Sequence, residues 1–226
     1  MPIGLFIDGA YAYKAFGREK INYLELRRLV EEELGDSVDE GYFFNADDNQ
    51  TMASKLHNAL SFPYPKGPGL RVKNYWLQKK QLYWPNHLGG GPVTHPSQPE
   101  VIYEITTQKA VDVGLVYHMT RSFHKRKWTK LALFAGDADF HEPVQNLVEN
   151  ENVDLFLIGS LTSIADVLRP YARRVLEVDQ EPHKSRLRFI DRWRDDGAPS
   201  ERQSQSQSQS QAERQMADQQ RDETAV

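Results

Sequence analysis

Between residues 1 and 180, short apolar runs closed by polar turns alternate with stretches of helical periodicity, and this alternation limits the fold more than any other feature of the chain. Ile3–Ile7 is a buried-strand run ended by Asp8-Gly9. Asn22 is placed to cap a helix through Leu34, where Leu26, Leu29 and Val30 recur at helical spacing and Gly35 stops it. The spacing predicts further strands at Val38–Asn45, Leu70–Leu77, Leu131–Ala135, Val153–Ile158 and Arg174–Val178. Helices are expected at Thr51–Phe62, Thr107–Phe123, Glu142–Asn150 and Ser163–Tyr171, and Val101–Thr106 reads as a short strand or extended lead-in.

Parallel neighbours in a sheet need crossover connections, and helices in those crossovers cover both faces. The expectation is therefore an α/β protein: a three-layer α/β/α sandwich with a mainly parallel sheet, spanning 1–180. A loop-rich insertion is expected at about 63–105, because three glycines and four prolines between Tyr83 and Pro99 deny regular structure. Residues 181–193 read as a C-terminal extension and candidate helix. From Arg194 the chain turns to Ser, Gln and charge, including SQSQSQSQ, with almost nothing to bury, so 194–226 is expected to be a disordered tail.

Composition removes several functions. Cysteine is absent, which excludes disulfides, thiolate catalysis and Cys-held zinc. A net charge of −4 excludes an overall basic coat, so any phosphate contact must come from a local patch. No run approaches the roughly 18 apolar residues of a membrane span, and the expectation is a cytoplasmic protein with no membrane partner.

In a doubly wound sheet, ligands bind beyond the carboxyl ends of the strands. Asp8 closes the first strand there, and Asp137 and Asp139 follow the strand Leu131–Ala135 in GDAD. Asp112 joins them if its helix begins at the same edge. Each has a plain structural alternative, as turn former, helix cap or dipole partner. Gathered carboxylates repel unless a cation lies between them, and all-oxygen donors suit Mg²⁺ or Mn²⁺. Such a site favours phosphodiester hydrolysis.

The segments FIDGAYAY (6–13), QKAVDVGL (108–115) and FAGDADFHEPV (134–144) together resemble, in order, the three motifs of the NYN (LabA-like) branch of the PIN-like nuclease superfamily. That resemblance implies a PIN-like, Rossmannoid sheet, metal-binding and catalytic roles for Asp8, Asp112, Asp137 and Asp139, and metal-dependent cleavage of single-stranded or structured RNA. The chain departs from the pattern in two places. Ala10, Tyr11 and Ala12 stand where an Asn is usual, and His118 stands where relatives often carry another acid.

Candidate substrate-binding residues are Tyr11, whose ring could stack on a base, Lys109 one turn before Asp112, and Lys79 and Lys80 beside Tyr83 and Trp84. The stretch RSFHKRKW (121–128) is also basic, but a segment before a strand's amino end lies at the wrong edge for the acids, and the helix dipole accounts for it. The alternatives to a ribonuclease are a PIN-like module that binds RNA or protein without cutting, and a Mg²⁺-dependent phosphatase. The phosphatase needs a second acid two residues after its nucleophile, where Ala10 stands. A dinucleotide site fails because DGAYAY is no glycine-rich turn. A homo-oligomer or protein partner is left open.

Overall fold

The computed structural model describes residues 2–47, 50–108 and 110–189. Within them, β1 (Ile3–Asp8), α1 (Gly9–Ala15), α2 (Tyr23–Leu34), β2 (Val38–Ala46), α3 (Gln50–Ser61) and β3 (Arg71–Tyr75) form the first half. Two antiparallel ribbons follow, β4 (Leu77–Gln81) with β7 (Glu104–Gln108), and β5 (Thr94–His95) with β6 (Gln98–Ile102). The second half comprises α4 (Val111–Arg126), β8 (Lys130–Phe134), α5 (His141–Gln145), β9 (Asp154–Gly159), β10 (Ala172–Glu177) and α6 (His183–Leu187).

Six strands make one sheet in the order β10-β9-β8-β1-β2-β3, and every neighbouring pair is parallel. Alternation of side chains along the strands divides the core into two layers. Ile3, Leu5 and Ile7 of β1 pack with Phe43, Phe134 and Ile158 beneath α1 and α2. Phe6 packs with Phe44, Leu131 and Leu133 beneath α4 and α5. The expected three-layer α/β sandwich is thus present. Trp128 shows how tight the second layer is: it is fully buried, donates its indole N–H to Ser122 Oγ at 3.0 Å, and lies against Gly4, where a Cβ would come within 2.7 Å of its ring.

Strand order places the working edge. The chain leaves β1 toward β2 and β3, then returns to β8 on the other flank of β1 and continues outward to β10. That reversal between β1 and β8 is the switch point at which open α/β sheets bind ligands. Ile7 pairs with Phe134, so the residues following both strands emerge side by side.

Leu70–Leu77, expected as one strand, is divided at Trp76 between β3 of the main sheet and β4 of a ribbon, and other segments also differ from the expectation. Ser163–Tyr171 forms turns and a single 3₁₀ turn at Arg169–Tyr171. Its donors go elsewhere: the Ala165 N–H donates to the Gly136 carbonyl at 2.8 Å, Arg169 donates to the Leu161 and Ile164 carbonyls, and Pro170 has no N–H. The helix expected from Thr107 starts at Val111, because β7 runs to Gln108 and Ala110 turns left-handed at φ 68°. Tyr83–Pro99 is a turn-rich ribbon rather than an open loop, with Gly89 and Gly90 supplying positive φ at its tip. The Ser/Gln tail and residues 190–193 of the extension lie outside the described residues. No helix among the described residues is long and apolar enough to cross a membrane.

Candidate active site

Asp8 is the last residue of β1 and the N-cap of α1; its Oδ1 accepts from the amides of Ala10 (2.9 Å) and Tyr11 (3.1 Å). That bond pair fixes the carboxylate at the carboxyl edge and leaves Oδ2 unclaimed by any hydrogen bond among the described residues. Asp137 follows β8 by three residues and caps the 3₁₀ turn Ala138–Phe140, accepting from the Asp139 amide at 3.2 Å. Both Asp137 and Asp139 are exposed. Asp112 occupies the first turn of α4, and because that helix starts at the carboxyl edge, Asp112 meets the others there.

The electrostatics record this convergence. Burial raises the Asp8 carboxyl above its ordinary range, and the charges of Asp112 and Asp137 raise it further against the two amide bonds that lower it. Burial likewise raises Asp112, followed by repulsion from Asp137 and Asp139. Carboxylates from β1, α4 and the turn after β8 therefore act on one another through a shared, partly desolvated space. Among the described residues, no three acidic or histidine side chains close on a point tightly enough to enclose an ion by themselves. The donor set still fits a small hard cation, since Mg²⁺ commonly takes one or two carboxylates and keeps several waters.

Asp8 and Asp137 open onto a cleft of about 850 Å³. Tyr11 forms part of its floor. Its hydroxyl shares a 2.7 Å hydrogen bond with Ser163 Oγ, its ring meets Phe134 edge-on at 6.1 Å between centroids, and it lies against Gly136 and Gly159. Both glycines are needed for that close approach, since a Cβ at Gly136 would sit 2.5 Å from the ring. Tyr11 thus supports the Gly136-Asp137 turn from below. Lys14, Arg169 and Lys184 line the same cleft, as does Asp179, whose Oδ1 is buried without a hydrogen-bond partner among the described residues. These four come from α1, the turns before β10, the start of α6 and the bend after β10, and only the fold brings them together.

Lys79 and Lys80 are exposed on β4 and are not among the lining residues of the cleft. Lys109 lies outside the described residues. His118 faces the β2 side of α4, with its ring stacked on Tyr42 at 5.3 Å and tilted on Phe44 at 5.9 Å. A second cleft of about 730 Å³, lined by Ile21, Tyr23, Leu56, Leu60 and Phe62, is largely apolar, and among the described residues the only acid on its wall is Glu19.

In comparisons with known proteins, no curated protein is significantly similar to the chain. Among solved structures, the crystal structure of a protein of unknown function from Vibrio parahaemolyticus superposes with a TM-score of 0.54 at 15% identity, covering 79% of this chain and 93% of that one. At that identity the likeness speaks for the fold alone. The family model of the NYN domain matches residues 2–179, which take in the whole six-stranded sheet and all four aspartates. The chain belongs to the NYN domain family, with its nuclease-like fold of the PIN type.

Proposed function

We propose that the protein is a metal-dependent ribonuclease that hydrolyses RNA phosphodiester bonds at Asp8, Asp112, Asp137 and Asp139. The observation that carries this reading is the meeting of carboxylates from three chain-distant segments at the switch point, where burial and mutual repulsion raise Asp8 and Asp112. Such an arrangement costs stability unless a cation is bound, so a purely structural role explains it poorly. RNA is the proposed substrate because NYN domains are generally ribonucleases.

These four aspartates would hold Mg²⁺ or Mn²⁺, which neutralises phosphoryl oxygens and acidifies water when bound. The chain's own groups do the rest. Tyr11 and the Ala165-to-Gly136 bond hold the Asp137 turn in place. Lys14, Arg169 and Lys184 supply positive charge to phosphates entering the cleft. In the reaction a water oxygen bonds to phosphorus as the ester P–O bond breaks. The proton from that water passes to solvent at the open cleft, and the leaving oxygen takes a proton from solvent.

The test is incubation of labelled single-stranded RNA, structured RNA and single-stranded DNA with Mg²⁺ or Mn²⁺, comparing the full chain with Asp137→Asn. Cleavage of RNA by the native chain, reduced at least a hundredfold in the variant, is expected on the scale of losing one electrostatic group at a reacting phosphate. Equal cleavage by both would overturn the site. RNA binding without cleavage by either would favour the non-cutting module, for which the altered DGAYAY segment is the motivating feature.

A further inference from the structure

A groove of about 250 Å³ runs between α4 and the β2–β3 side of the sheet. Among the described residues, five cationic side chains line it, Arg71 and Lys73 from β3 and Arg121, Lys125 and Arg126 from α4, against the single carboxylate Glu40. Glu40 is 5% exposed and takes a 2.6 Å bond from Arg71, a 3.4 Å ion pair from Arg126 and the hydroxyl of Ser122. One buried anion thus holds two guanidinium groups in fixed positions, and the Arg71 guanidinium also donates to Tyr42 Oη at 3.0 Å. Lys73, Arg121 and Lys125 have no carboxylate partner among the described residues. Burial, then the charges of Lys73 and Arg121, lower the proton affinity of His118 on the groove wall.

Folding alone does not account for this concentration. The dipole at the C-terminus of α4 favours Lys125 and Arg126, but it does not reach Arg71 and Lys73, which stand on the edge strand. Arg121 and Lys125 are four residues apart on α4, a like-charge spacing that weakens a helix. Above them on the outer face of the same helix, Tyr117 is 54% exposed, its ring held edge-on by His118 at 5.2 Å and approached by Arg121 at 5.8 Å. An exposed ring held in one orientation beside unpaired cations matches how proteins bind single-stranded nucleic acid, through stacking and phosphate contacts.

We propose that this groove binds the part of a single-stranded RNA that extends beyond the acids. The strand crosses the first turn of α4 at Val113, stacks a base on Tyr117 and lays its phosphates along Lys73, Arg121 and Lys125. At 1.5 Å per residue, Arg121 stands about 13 Å and Lys125 about 20 Å along the helix from Asp112, so only RNA several nucleotides long reaches them. The proposal rests on the reading of the acid site as one that acts on RNA.

The experiment measures binding of a fluorescein-labelled 20-nucleotide oligouridylate to the full chain by anisotropy, in metal-free buffer from 50 to 300 mM salt. The variant Lys73→Gln/Arg121→Gln/Lys125→Gln is expected to bind at least tenfold more weakly, with the slope of log affinity against log salt reduced by about 2, from three lost single-strand phosphate contacts. Lys73→Arg/Lys125→Arg should bind as the native chain does, and Tyr117→Ala should lose roughly tenfold. Cleavage is read separately with Mn²⁺: at sub-saturating enzyme the triple variant should slow on the 20-mer and match the native chain on a 4-mer. An unchanged affinity and salt slope in the triple variant, or no binding by the native chain, overturns the groove. Absence of cleavage together with the expected binding loss overturns the nuclease reading and leaves the groove standing.

Discussion

Gly136→Ala tests whether Tyr11 supports the acid turn. Gly136 is buried and its φ is not positive, so the substitution introduces no backbone strain and the effect is steric. The new Cβ would lie 2.5 Å from Tyr11 Cε2 and Oη and 2.6 Å from Cζ, about 1 Å inside normal carbon contact. The ring cannot swing freely, because its hydroxyl is held by Ser163, Gly159 lies along one side and Phe134 meets its edge. Overpacking of this kind costs about 1–3 kcal/mol, and loss of the Tyr11–Ser163 bond adds about 1 kcal/mol. The sum, about 2–4 kcal/mol, corresponds to a fall in Tm of about 4–16 °C for a domain of this size. Denaturant unfolding of a double-mutant cycle with Tyr11→Ala separates the causes. With the ring removed, the cost of Gly136→Ala should fall to near zero, giving a coupling of about 2 kcal/mol or more. A cost below about 0.5 kcal/mol, or one that is unchanged in the Tyr11→Ala background, would refute the packing argument.

Three further outcomes are expected. Asp112→Asn removes a carboxyl raised by burial and by its acidic neighbours. The native fold holds that proton more tightly than the unfolded chain, so this contribution is complete below the unfolded value of about 3.9 and is lost as pH rises through the higher folded value. In EDTA the Tm difference, native minus variant, should therefore decrease as pH rises across that window, and millimolar Mn²⁺ should restore the native advantage; a pH-independent difference would refute the sign. Arg27→Met should cost about 3 kcal/mol in denaturant unfolding, because it strips a buried guanidinium from the Val38 and Pro68 carbonyls and from Glu31. Gly4→Ala should cost about 1–3 kcal/mol by driving a Cβ into the fully buried Trp128 ring, and an unchanged Tm would contradict the packing there.

Much of the sheet could be read before the structure because its signals are local. Ile3–Ile7 and Leu131–Ala135 are apolar on both faces, as strands covered by helices must be, and Asn22 and Gly35 bracket α2 at its observed ends. Such strand ends placed Asp8, Asp137 and Asp139 at one edge without any knowledge of strand order. What the sequence concealed depends on distant partners. Ser163–Tyr171 has Ile164 and Leu168 at helical spacing, yet the Gly136 carbonyl and the Arg169 side chain divert its hydrogen bonds. Tyr11 reads equally well as a ring open to bases, and only the paired absences of Cβ at Gly136 and Gly159 show that it packs beneath the turn. Lys14, Arg169, Asp179 and Lys184 carry no motif, and the cleft collects them from four elements. The basic run at 121–126 reads as a solvated helix end, and its sharing of a groove with Arg71, Lys73 and buried Glu40 could not be read locally, since these come from strands far away in the chain.

Calorimetric titration of the full chain with Mn²⁺ asks whether acids from β1, α4 and the turn after β8 serve one cation. Saturable binding by the native chain is expected, with a loss of at least tenfold in affinity in each of Asp8→Asn, Asp112→Asn and Asp137→Asn, since every one removes a charge facing the same space. Binding that is unchanged in all three variants, or no binding by the native chain at millimolar Mn²⁺, would contradict it.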